Sequence, residues 1–143
     1  MTKKYAFYGT LRLNQGNYKR LNLKKTAKFI ANKTVPGYLM YPIGTAYPAV
    51  INVVHNPNQL PLHVPSIVVD LFEIDDTITQ DYIRNMELGA GYEENTIIVD
   101  KEVYILYTMN EYSASLAYNS TVPGGDWVKY ITPNKEKIEH NTL

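Results

Sequence analysis

The sequence predicts an α+β domain in which several strands curl around one core. Three observations carry this. Strand-length runs rich in β-branched and aromatic residues alternate with turns rich in Pro, Gly and Asn. One segment, opening near Asp75 and closing at Gly89, holds a sustained helical period. No repeat, low-complexity tract or linker divides the 143 residues, a length that suits one compact core. Residues 1–143 are therefore expected to form a single domain, with 134–143 as a polar tail.

In chain order, "KYAFYGTL" reads as a short strand that breaks at Gly9, and "NYKRLNLK" as a short helix or a loop. "AKFIANKTV" and "YLMY" read as two strands around the turn at Pro36-Gly37. "PAVINVV" is a further strand, ended by the turn-prone "HNPNQLP". "VPSIVVDLFEI" is a long β-branched run, expected as a central strand. Asp75, Asp76 and Thr77 then offer caps for the helix, along which Ile78, Tyr82, Ile83 and Met86 recur at helical spacing before Gly89 and Gly91 stop it. "YEENTIIVD" and "KEVYILYTM" are expected to pair as a hairpin. Of the tail, Asp126 and Trp127 read best as a structural turn and a core plug.

Composition narrows the function classes. Lys plus Arg and Asp plus Glu both number 14, a balance that argues against a dedicated nucleic-acid binder. The absence of Cys removes thiol nucleophiles, disulfides and thiolate metal sites. His55, His63 and His140 lack metal-ligand spacing, and Ser66, Ser113, Ser115 and Ser120 lack a nucleophile-elbow context, so no metal and no serine nucleophile is expected. "MTKKYAFYGTLR" lacks the apolar stretch of a signal peptide, and no run approaches the length of a membrane span. The expectation is a cytoplasmic protein without membrane or nucleic-acid partners. Thirteen tyrosines, against 3 Phe and 1 Trp, fit a β-rich fold with half-buried walls.

Two places could carry chemistry. In "YGTLR", a strand ends in Gly and a hydroxyl residue, a break that can turn successive backbone N–H groups toward one point as an anion nest. A tight turn eased by the backbone freedom of Gly9 is the simpler alternative for the pentapeptide alone. Glu87 closes the helix, where its charge opposes the negative end of the macrodipole. On a helical wheel it borders the apolar arc one turn after Ile83. Partial burial and the helix terminus would both raise its pKa toward that of a proton shuttle. An incidental exposed Glu is the alternative at this point, and helix physics alone favours it.

Taken in order, the pieces resemble one family. "YGTLRLNQGNY", "VPGYLMYPIGTAYPAV" and "VDLFEIDDTITQDYIRNMELGAGYEENTIIV" are similar to three successive blocks of the γ-glutamylcyclotransferase-like proteins, closest in flavour to the γ-glutamylamine cyclotransferase, AIG2-like or BtrG-like branch. The match runs from about residue 5 to residue 109. It implies a curled mixed β-sheet or small β-barrel with few flanking helices. It also implies a cofactor-independent reaction on a small γ-glutamyl substrate, in which the free α-amine attacks the γ-amide carbonyl and releases 5-oxoproline. By the same resemblance, Glu87 would be the general acid/base. Tyr8, Gly9, Thr10 and Leu11 would hold the substrate carboxylate or developing oxyanion, and Tyr47, Tyr92 and Tyr107 would supply walls and donors. Leu88 stands where many members have a small residue, Thr10 where many have Ser, and the loop between the third and fourth strands is short. A non-catalytic carboxylate binder, or an enzyme removing a γ-glutamyl group from a larger metabolite, would share these features.

Overall fold

A computed structural model describes residues 1–44, 46–53, 65–109 and 121–132. Its main element is a five-stranded mixed sheet in the order β2-β5-β1-β7-β6. These strands are β1 (Lys3–Phe7), β2 (Ala27–Pro36), β5 (Ser66–Ile74), β6 (Glu93–Val99) and β7 (Glu102–Thr108). A separate two-stranded sheet pairs β3 (Tyr38–Ile43) with β4 (Tyr47–Asn52). The helices that precede or follow these strands include α1 (Gly16–Arg20), α2 (Leu23–Thr26) and α3 (Thr77–Gly89).

β1 lies at the centre, antiparallel to β5 and parallel to β7. Tyr5, Ala6 and Phe7 are all buried, so both faces of this strand are covered, as a central strand requires. β5 is an interior strand, and its buried Ile67, Val69, Leu71, Phe72 and Ile74 build the core with Leu106 and Trp127. β2 and β6 are the edges. β2 carries a bulge between Phe29 and Ala31, an irregularity of the kind that blunts an exposed edge.

The β6–β7 hairpin forms as the sequence predicts, from Glu93↔Thr108 to Val99↔Glu102. Its turn is Asp100-Lys101, both at positive φ (50° and 68°), the twist that a two-residue hairpin turn demands. "NYKRLNLK" becomes two short helices rather than one. Pro36-Gly37 is a turn between sheets, not within one: β2 pairs with β5, whereas β3 turns away to pair with β4. Gly37, at φ 96°, serves as the joint, donating to Pro65 O and accepting from Val53 N. Among the described residues the strands do not close into a barrel; the small sheet meets the main one through isolated bonds such as Met109 N to Val50 O at 2.9 Å.

The segment beyond residue 120 docks onto this frame. Gly125 is buried at φ 64°, where an added Cβ would lie 2.0 Å from Ser66 O, so only glycine fits. Asp126 caps a helical turn over 127–132 by accepting from Lys129 N, and Trp127 plugs the core at 1% exposure. His55, His63, His140, Ser113, Ser115, Ser120 and the tail from 134 lie outside the described residues. No helix among the described residues is long and apolar enough to cross a membrane.

Candidate active site

α3 starts where the sequence predicts: the Asp76 side chain accepts from Thr79 Oγ1 and, at 3.0 Å, from Thr79 N, and these two bonds hold its carboxyl below the usual range. Its buried face is not the apolar arc read on the wheel. Ile78 is 79% and Tyr82 48% exposed, whereas Gln80 and Ile83 are buried. The reason is a polar anchor. Gln80 Nε2 donates to Ile74 O at 2.6 Å and to Met1 O at 2.8 Å, which rotates α3 about its axis relative to the hydrophobic count. Glu87 falls one turn below Ile83 on this inward face, with Met86 beside it, rather than at a solvated border.

The end of α3 explains how a carboxylate there gains a tyrosine neighbour. Tyr92 N donates to Glu87 O and Gly91 N to Leu88 O, both at 3.1 Å, with Gly91 in the left-handed region at φ 96°. This is the Schellman pattern, which brings the side chain three residues before the cap against the one two residues after it. Those positions usually make a hydrophobic contact. Here they are Glu87 and Tyr92. Burial pushes the Glu87 carboxyl from 4.5 up to about 7, and burial, with the Glu87 charge nearby, pushes the Tyr92 phenol far up.

Glu87 faces a cavity of about 640 Å³, a size suited to a small ligand. Tyr8, Gly9, Thr10 and Leu11 line its other side, and Tyr47, Tyr92 and Tyr107 complete the walls. All the residues singled out from the sequence thus meet on one cavity, although they derive from the loop after β1, from β4, from the end of α3 and from β7.

The loop is tied down by its carbonyls. Gly9 O accepts from Arg12 N at 3.0 Å, and Thr10 O from Asn17 N and Tyr18 N at 2.9 and 3.1 Å. None of those bonds uses the amides of Gly9, Thr10 or Leu11, which leaves these N–H groups as candidates to meet an anion. Gly9 is required for a different reason from the one expected: its φ is not positive, but an added Cβ would meet Pro48 Cδ at 2.9 Å and Cγ at 3.0 Å. The β4 proline presses directly on the loop.

Below the loop, Arg12 is buried and donates from Nε to Asp70 Oδ2 at 3.2 Å and from Nη1 to Asp126 Oδ1 at 2.8 Å. Asp70 also accepts from Leu13 N and Asn32 Nδ2, so three donors converge on its carboxylate. Burial acts to raise the Asp126 carboxyl, but hydrogen bonds from Arg12 and Lys129 N and the charges of both residues hold it below the usual range.

The tyrosines act as walls more than as donors. Tyr8 Oη donates to Tyr107 O at 2.7 Å, Tyr92 Oη to Pro48 O at 2.6 Å, and Tyr107 Oη to Glu94 Oε1 at 2.9 Å. Burial raises all three phenols well above their ordinary value, so these protons stay in place at neutral pH. Tyr47 is 38% exposed at the mouth, its ring 6.4 Å from that of Tyr92.

Sequence reasoning missed Asn17, Arg20, Pro48 and Met86, which also line the cavity. Among the described residues no group of three or more His, Cys, Asp or Glu side chains could hold a metal ion.

Fold and cavity together define a class: a small mixed-sheet domain whose ligand-sized cavity lies between the loop after the first strand and the end of the main helix. The model of the γ-glutamyl cyclotransferase, AIG2-like family matches residues 5–129, and the chain belongs to that family. Among solved structures, an uncharacterised protein from Pyrococcus horikoshii is similar at 21% identity and a TM-score of 0.65, over 98% of this chain and 97% of that one. A uropathogenic E. coli-specific protein is similar at 18% identity and a TM-score of 0.70, over 92% and 97%. An AIG2-like protein from Mus musculus is similar at 16% identity and a TM-score of 0.61, over 84% and 85%. At these identities the likeness concerns the fold. No curated protein matches the sequence.

Proposed function

We propose that the protein is a γ-glutamyl cyclotransferase acting on a small γ-glutamyl amine, amide or peptide. The observation that carries this is the convergence of the Glu87 carboxyl and the Tyr8–Leu11 loop on one cavity. In the proposed reaction the substrate's α-amine nitrogen attacks its own γ-carbonyl carbon. A C–N bond closes the five-membered ring, the original amide C–N bond breaks, and 5-oxoproline and a free amine leave. Glu87 takes the proton given up by the attacking nitrogen and returns it to the departing one. A carboxyl with a pKa of about 7 suits both tasks, because its two protonation states are nearly equal in population at neutral pH.

The remaining requirements are modest. Ring closure is intramolecular, so no enzyme nucleophile is needed, and the walls have only to hold a near-attack conformer. The Gly9, Thr10 and Leu11 amides would receive the substrate carboxylate or the oxyanion. Donors of that kind contribute about 3 to 4 kcal/mol to acyl-transfer barriers.

The test is 5-oxoproline release from a panel of γ-glutamyl compounds, with Glu87→Gln as the comparison. At least about a hundredfold loss of kcat is expected for a proton-transfer group. Release that persists undiminished in the variant removes Glu87 from the mechanism.

A further inference from the structure

The Arg20 side chain lines the same cavity yet remains exposed, so it stands at the mouth while Glu87 and the amide loop stand deeper. Its protein partners are all neutral: Nε donates to Asn17 Oδ1 at 3.0 Å, Nη1 to Tyr82 Oη at 3.2 Å and Nη2 to Met86 Sδ at 3.3 Å. The guanidinium also lies 5.9 Å from the Tyr82 ring centroid. Among the described residues it joins no ion pair, although Glu87, next to Met86, lines the same cavity. A guanidinium carries five N–H donors. The three bonds leave one N–H on each terminal nitrogen, the pair that matches a carboxylate.

Position decides which carboxylate. Arg20 touches Met86, the residue next to Glu87, and Asn17 links it to the loop through Asn17 Nδ2 to Thr10 Oγ1 at 2.7 Å. The guanidinium is therefore held at the cavity mouth, against the helix turn that carries Glu87. With the glutamyl half of a substrate in the depth and its own carboxylate on the loop amides, the leaving group would project past Glu87 toward Arg20.

We propose, resting on the cyclotransferase reading above, that Arg20 selects substrates whose leaving group carries a carboxylate, so that the preferred class is γ-glutamyl amino acids rather than neutral γ-glutamyl amines. The pairing is at the surface, so the preference weakens as salt rises.

The test compares γ-glutamylglycine with γ-glutamylglycinamide, which match in size and differ in the charge of the leaving group. Release of 5-oxoproline is measured for the wild type, Arg20→Met and Arg20→Lys. Wild type is expected to favour γ-glutamylglycine by about tenfold or more in kcat/KM, mainly through KM, the scale of a charge-assisted contact. In R20M the ratio of the two kcat/KM values falls toward one, and R20K, which keeps the charge without the fork, lies between. A ratio that stays unchanged in R20M, or a wild type that prefers the glycinamide, overturns the role of Arg20 while leaving the cyclotransferase intact. Silence of the wild type toward both compounds, and toward the wider γ-glutamyl panel, overturns the cyclotransferase reading and this inference with it.

Discussion

Holding Glu87 in a partly buried site makes folding stability depend on pH in a specific way. The carboxyl titrates near 4.5 when unfolded and near 7 in the native protein, because burial disfavours its charge. Between those values the native state holds a proton that the unfolded chain has released, so stability falls as pH rises. At about 1.4 kcal/mol per pH unit the whole window amounts to about 3 kcal/mol, and above pH 7 the contribution is flat. Glu87→Gln removes the titration and leaves a group of similar size. Urea unfolding of both proteins from pH 4.5 to 8.5 isolates the effect, since every other titrating group cancels in the difference. The variant should gain on the wild type steadily from pH 5 to pH 7 and then hold a constant advantage. A difference that stays flat within about half a kcal/mol across that range refutes the burial of the carboxyl. If Glu87 acts as the base, kcat/KM of the wild type should fall as pH drops below about 7.

Two further substitutions test how the loop is held. Gly9→Ala forces a Cβ against the Pro48 ring, and overpacking of this kind costs about 1 to 3 kcal/mol. Because the clash is relieved by moving the loop, kcat/KM should drop by more than stability alone explains; a variant with wild-type stability and turnover would show the contact to be loose. Arg12→Met leaves Asp70 buried without its cation, which should cost about 3 kcal/mol or more in urea unfolding. A loss under about 1 kcal/mol would mean that Leu13 N and Asn32 suffice for Asp70.

Local chemistry made part of this fold legible. The Asp76 cap, the glycine stop at Gly91 and the β6–β7 hairpin depend on residues within a few positions of one another, and the sequence displays them. The hairpin turn, Asp100-Lys101, is less obvious because neither residue is glycine. Non-local contacts were hidden. Nothing beside Gln80 announces that Ile74 O and Met1 O will take its amide and turn α3, which is why Ile78 and Tyr82 counted as inward and face out. Nothing in Pro36-Gly37 distinguishes a turn within a sheet from a joint between two. Glu87 could be singled out by its awkward place at a helix end, but its cavity is built by Pro48, Met86 and Arg20, whose convergence requires the whole chain to be folded.

The tyrosine hydroxyls bear on what a ligand encounters. Tyr8 fastens the loop to β7, Tyr92 fastens the end of α3 to β4, and Tyr107 fastens β7 to β6. Each phenol is at once a wall of the cavity and a strut between its elements, a double use that Phe of nearly the same volume could not supply. These side chains have given up their rotamer freedom before any ligand arrives. Entry into the pocket then needs little further ordering of its walls, and more of the contact energy can appear as affinity and orientation. A chain with 13 tyrosines and 3 phenylalanines has, in effect, built a template rather than a mould.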